Sequence, residues 1–205
     1  MAVRTRLSVQ ERRGRLIALG EELFSERPFD EISIDDIAAR AQISKGLLYH
    51  YFGSKRDFYV EVVRAGVLAL RAVTEVSASV PEPTRSARSL DAYLAYVEAH
   101  AAGFAQLMGA GGGADPEVAA LIDESRREFA ARVLEGVRRA GIDWGAGEAP
   151  PLLRAAVRGW VGMVEAASLE WVAEREVPRA ALAAFLQGAL VSAVRDALAG
   201  APARD

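Results

Sequence analysis

Between Ile34 and Phe52 the chain sets two helix starts and one turn so close together that two short, crossing helices are the natural way to satisfy them. Ser33 stands where an N-cap belongs, and Asp36 three positions later can reach back to the free amides, a variant of the capping box. Ile34, Ile37, Ala38 and Ala41 recur at helical spacing and make one apolar stripe. Ala38 and Ala41 are small, which lets a second helix cross closely. Gln42-Ile43 forms the turn, and Ser44 caps a second helix with Lys45 and Gly46 in its first turn. Glycine there costs roughly 1 kcal/mol against alanine. Close approach of the backbone to a sugar-phosphate strand would offset that cost, and a helix N-terminus favours phosphate. The pattern suits a helix presented end-on to the major groove of DNA, and also an ordinary helical hairpin in a larger bundle.

The flanks favour DNA. Ser8-Val9-Gln10-Glu11 is a capping box opening a helix with Leu16, Ile17, Leu19, Leu23 and Phe24 as apolar positions. Arg4 and Arg6 precede it, and Arg12, Arg13 and Arg15 follow. Beyond Phe52, Ser54 caps a further helix with Lys55 and Arg56 in its first turn. The net charge of −3 alone argues weakly against nucleic acid, but residues 1–56 carry +2 and the remainder −5. A cationic end on an acidic body fits a DNA-binding part joined to a regulatory part. The expected contacts are Lys45 and Gly46 at the groove, with Ser33, Tyr49, His50 and Lys55 positioning phosphates. Ser44 and Leu48 complete the set, although one of Leu47 and Leu48 must pack inward, and Arg4 and Arg6 follow the backbone or enter the minor groove.

Residues 9–70 resemble the DNA-binding domain of the TetR family of bacterial transcriptional regulators. The similarity lies in Leu23-Phe24 followed by Phe29, in Ile34–Ala41, in Ser44-Lys45-Gly46-Leu47-Leu48-Tyr49 and in Tyr51-Phe52-Gly53-Ser54-Lys55. His50-Tyr51 departs slightly, since the family more often has an aromatic followed by histidine or tyrosine. The resemblance implies an all-α chain of about nine helices. A three-helix DNA-binding domain (9–70, helix-turn-helix 33–52) precedes a ligand-binding and dimerisation domain (71–205). It also implies a homodimer on a palindromic operator, a repressor's role, and release of DNA by a small molecule.

Helix signals dominate the second part, and no run alternates like a strand. The helix from Ser54 is expected to reach about Ser79, where Pro81-Glu82-Pro83 ends it. A helix over about Arg85–Leu107 follows. The glycine cluster 109–114 reads as a connector, since it lacks the lysine-serine ending of a phosphate-binding loop. Asp115-Pro116-Glu117 starts a helix that Gly141 stops. Two apolar helices, roughly Leu152–Glu174 and Pro178–Ala199, close the chain.

Apolar residues on more than one face of these last helices point to a second subunit packing into a four-helix interface. The expected interface residues are Leu153, Val157, Val161, Leu182, Phe185, Leu186, Leu190 and Val194, with an intradomain core as the alternative. An effector pocket would be lined by Phe104, Met108, Phe129, Trp160, Met163 and Trp171, with His100, Arg126 and Glu165 as polar contacts. Glu165 lies seven residues from Arg158, so an ion pair along one helix competes with ligand recognition.

Catalysis finds no support. There is no cysteine, no histidine cluster for a metal and no nucleophile-elbow pattern, so neither cofactor nor metal is expected. Without a signal pattern or an apolar run of transmembrane length, the expected setting is the cytoplasm, with no membrane partner. The expected partners are an operator in double-stranded DNA, a second copy of the chain and a small, largely apolar effector. The competing reading is a dimeric DNA-binding regulator controlled by a protein partner or by its own abundance.

Overall fold

The computed structural model describes residues 8–82, 84–109, 115–145 and 147–200. Arg4, Arg6 and positions 110–114 of the glycine cluster lie outside the described residues. Among the described residues there are nine α-helices and no strand: α1 (Val9–Glu26), α2 (Ile34–Ala41), α3 (Lys45–Phe52), α4 (Lys55–Thr74), α5 (Thr84–Ala99), α6 (Ala101–Met108), α7 (Pro116–Arg139), α8 (Pro151–Glu174) and α9 (Arg179–Ala199). A single 3-10 turn, Phe29–Glu31, follows α1.

The chain forms two compact units that do not follow chain order. The first takes residues up to Ala69 together with Ala102–Leu121, and the second takes Leu70–Ala101 and Ile122 onward. α4 and α7 therefore each contribute to both units.

The first unit is built around Leu16, Leu23, Phe24, Ile37, Leu48, Phe52 and Phe58, all buried. Its aromatic rings interlock: Phe52 meets Phe58 edge-on at 4.8 Å between centroids, and Phe24 meets Tyr59 at 4.9 Å. Gly20 of α1 permits a close crossing with α4, because a Cβ there would lie 2.4 Å from Val62 Cγ2 and 2.7 Å from Phe58 Cζ. From the inserted segment, the amide of Gln106 reaches the Ser25 carbonyl near the end of α1 at 3.3 Å; with the amide turned over, it bonds the Phe24 and Arg27 carbonyls instead. Asp115, whose carboxylate caps the start of α7, forms a two-pronged pair with Arg56 of α4 at 2.6 and 2.9 Å.

In the second unit α8 packs on α9 and α5 lies against both. Leu153, Val157, Val194 and Ala197 make one buried cluster, joined by Val133, Val137 and Trp144 at its edge. Two helix ends depart from the sequence expectation. α4 stops at Thr74 rather than near Ser79: the Thr74 hydroxyl bonds the Leu70 and Arg71 carbonyls, and Ser89 donates to the Thr74 carbonyl at 2.8 Å. The Arg85 guanidinium takes the Val80 and Ala78 carbonyls, so the segment needs no helix to satisfy them. The expected helix over Arg85–Leu107 breaks at His100, whose ring stacks on Tyr96 at 4.1 Å and meets the Tyr96 carbonyl through Nδ1 at 2.8 Å.

α9 corrects another expectation, because its length and composition would allow it to cross a membrane. In this fold Leu182, Leu186, Val194 and Ala197 are buried side chains of the second unit.

Candidate nucleic-acid interface

Both helices of the candidate reading element begin as their sequences require. Ser33 caps α2: its hydroxyl accepts from the Asp36 amide at 3.1 Å, while Asp36 accepts from the Ser33 amide at 2.8 Å. The Ser33 backbone hydrogen bond, then its hydroxyl, holds the Asp36 carboxyl below the ordinary carboxylate range. Gln42 closes α2 in the left-handed region (φ 54°, ψ 41°), and its amide and that of Ile43 bond back to Ala39 and Ala38 at 3.1 and 3.0 Å. That reversal aims α3 across α2. Ser44 then caps α3 by accepting from the Leu47 amide at 3.2 Å.

α3 has two distinct faces. Leu48 and Phe52 are buried, whereas Lys45, Gly46, Tyr49 and His50 are exposed together with the cap Ser44. Leu48, expected among the DNA contacts, is only 1% exposed and belongs to the core; Leu47 is the half-buried neighbour. A leucine one turn from Phe52 on the inner face cannot also reach a groove. Gly46 is different. A Cβ there would meet nothing closer than Ser44 Oγ at 4.0 Å, so internal packing does not demand a glycine.

Lys45 and Lys55, the expected cations among the described residues, already have partners within the chain. Lys45 Nζ lies 2.6 Å from Asp35 Oδ1 at the start of α2, with both side chains exposed. Lys55 Nζ sits 4.1 Å above the centre of the Phe29 ring. Arg13 pairs with Glu61 at 2.5 Å and stacks on Phe52. Ser33, Ser44, Gly46, Tyr49 and His50 thus lie on the exposed surface of α2 and α3, with Lys45 held beside them by Asp35. The Asp35 partner is not legible in the sequence: ten positions from Lys45 and across a turn, it matches no helical spacing rule.

The effector candidates are divided between the two units. Phe104 and Met108 fall in the first unit and the other seven in the second. Arg126 of α7 grips Glu165 of α8 with two prongs (2.8–3.0 Å), and Arg158 pairs with Asp123 instead of Glu165. Phe129 meets Tyr93 edge-on at 6.1 Å. Burial pushes the Tyr93 hydroxyl above its ordinary pKa, with the Glu165 charge adding to the effect. Trp160 and Trp171 donate their indole N–H groups to the Leu186 and Val177 carbonyls, each at 2.8 Å. Met163 is half-buried, and His100 is exposed on Tyr96.

Of the residues expected between subunits, Leu153, Val157, Val161, Leu182, Leu186 and Val194 are buried within the chain's own fold, and Leu190 is half-buried. Packing of α8 on α9 and α5 uses these large side chains. Phe185, at 62% exposure, faces outward.

Two short helices joined by a left-handed turn, the second with its N-terminal turn exposed, define a helix-turn-helix DNA-binding protein. Residues 16–62 match the family described as bacterial regulatory proteins, tetR family, and residues 83–199 match the tetracyclin repressor-like, C-terminal domain. The chain belongs to the tetR family of transcriptional regulators. The tetR-family transcriptional regulator from Streptomyces coelicolor is 30% identical, with a TM-score of 0.77 over 96% of this chain and 92% of its own. FadR from Bacillus subtilis, solved in complex with stearoyl-CoA, shares the fold at 16% identity and a TM-score of 0.67, over 88% of this chain and 98% of its own. The HTH-type transcriptional activator FasR of Mycolicibacterium smegmatis is 30% identical over 57% of this chain and 54% of its own length. The HTH-type transcriptional repressor KstR2 of Mycobacterium tuberculosis is 41% identical over 27% of this chain and 28% of its own. This chain thus spans about half the length of the first curated relative and about a quarter of the second.

Proposed function

We propose that the chain is a homodimeric repressor that binds a palindromic operator and leaves it when a small, largely apolar molecule binds the helical second part. Gly46 carries the DNA half of this reading. A glycine in the first turn of an exposed helix, with open space where its Cβ would stand, has its reason outside the molecule. A sugar-phosphate backbone drawn close to that turn supplies one. Lys45 then reaches a base edge, while Ser33, Ser44, Tyr49, His50 and Lys55 hold phosphates.

Replacing Lys45 by alanine is expected to cost roughly 1–3 kcal/mol of operator binding and to erode operator preference. The measurement is a fluorescence-anisotropy titration at fixed salt on a sequence selected from random DNA. Equal affinity of wild type and variant would remove Lys45 from the reading.

The exposed faces of α8 and α9 support a second copy as partner. On α8, Leu152, Ala155, Gly159, Gly162 and Ala166 recur at alternating spacings of three and four and are all exposed. On α9, Ala181, Ala184, Phe185, Gly188 and Val191 do much the same. Neither stripe carries a charge, and Gly159, Gly162 and Gly188 have nothing within 4 Å of a Cβ position. Small residues let two such helix pairs approach closely in a twofold bundle. A dimer can place two copies of α3 about 34–36 Å apart, or a multiple, to enter successive major grooves on one side of the duplex.

The names of the relatives cover both signs of regulation, an activator and a repressor. Repression is tested by transcription from the selected operator with and without the protein; activation there would reverse the sign. Release is tested by a thermal-shift screen against metabolites, followed by operator displacement. Only a compound with different affinity for the bound and released states can act.

A further inference from the structure

Most arginines of the second unit have a carboxylate within ion-pair distance, among them Arg71, Arg85, Arg126, Arg158 and Arg179. Arg132 of α7 differs. It is half-buried, and among the described residues no carboxylate lies within 4.0 Å of it. Its guanidinium carbon sits 4.3 Å over the Phe129 ring, and Nη2 donates to the Thr74 hydroxyl at 3.2 Å. Nε and Nη1 bond no partner among the described residues. The fields of Glu128 and of exposed Glu75 favour the Arg132 charge from beyond ion-pair distance, and Glu128 is itself engaged by Arg71 at 3.0 Å.

Partly burying a cation whose opposing charges stand beyond ion-pair distance is costly. Burial accordingly acts against the charge of Arg132, and nearby Arg71 adds to that effect. The polar end of α4 offsets part of the cost, since cations near a helix C-terminus are favoured. A hydroxyl and a ring face are weak company for a guanidinium whose fork suits a planar oxyanion.

We infer that Arg132 is the anion-recognition residue of the effector site, and that the effector is a carboxylate carried on an apolar body. The inference rests on the effector reading above and gives it a chemical class. Phe129, with Tyr93 edge-on behind it, offers the apolar wall beside the charge. Thr74 ends α4, so a carboxylate that draws Arg132 away from it also changes what anchors that helix end. Arg126 is less suited to the task, because Glu165 already fills its fork.

The test is calorimetric titration of the full-length protein with straight-chain carboxylates from octanoate to stearate and with the matching alcohols, below micelle-forming concentrations. A charge-assisted contact predicts carboxylates binding about tenfold or more tightly than the alcohols. Arg132→Met should abolish that preference, Arg132→Lys should restore part of it, and Thr74→Val should keep it. The last variant removes the hydrogen-bond partner while leaving the cation, so a purely structural Arg132 would make Thr74→Val behave like Arg132→Met. That result overturns the inference, as does a preference that survives Arg132→Met or carboxylates binding no better than alcohols. If alcohols bind and carboxylates do not, the effector reading stands and the anion fails. If no compound here or in the metabolite screen binds, both fail.

Discussion

The Lys45–Asp35 pair joins the two helices of the candidate reading element, with both side chains exposed. An exposed ion pair of this kind contributes roughly 0.2–1 kcal/mol to stability, and an acid in the first turn of α2 about as much again through the helix dipole. The larger consequence falls on DNA. On the proposed reading Lys45 has to leave a carboxylate to meet a phosphate or a base, and Asp35 would itself repel the strand. Asp35→Asn is therefore expected to tighten binding to all DNA, selected operator or not, and to narrow the gap between them. The slope of log affinity against log salt should steepen by up to about 0.9, the value of one phosphate contact. Anisotropy titrations over a salt series measure both quantities; an unchanged slope would mean that Asp35 does not restrain Lys45.

At the scale of the helices, caps are local and packing is not. Ser8, Ser33, Ser44 and Asp115 start helices through bonds to amides two or three residues away, so these starts can be read directly. The ends of α4 and α5 could not be read that way. One depends on Ser89 and Arg132, distant in sequence from Thr74, and the other on a ring folding back onto Tyr96. Leu48 shows the same limit at a candidate site: apolar spacing marks two leucines as inward candidates, and only packing against Phe52 and Phe58 selects one. Gly20 is an element-scale choice as well, made for the crossing of α1 with α4. Gly20→Val should lower stability by about 1–3 kcal/mol through overpacking, seen as a reduced Tm in thermal denaturation. A Tm equal to wild type would show that Phe58 and Val62 yield freely.

For the molecule as a whole, the surfaces of the two most apolar helices divide differently from the sequence expectation. The large side chains Leu153, Val157 and Leu186 serve the chain's own core, and the small ones are left outside. Hydrophobicity alone cannot separate these roles, because alanine and glycine carry little of it. Gly162→Glu and Phe185→Glu each put a charge on the open stripe without touching that core. Both are expected to yield a folded monomer in light-scattering chromatography and to weaken operator binding severely, since one copy holds only one half-site. A variant that remains dimeric would move the interface elsewhere.

The interleaved units also limit what an engineer can transplant. Splicing at residue 70, the obvious boundary along the chain, would leave Arg56 without Asp115 and the end of α1 without Gln106. A portable reader for a hybrid biosensor should therefore carry Ala102–Leu121 with it, grafted as two pieces rather than one.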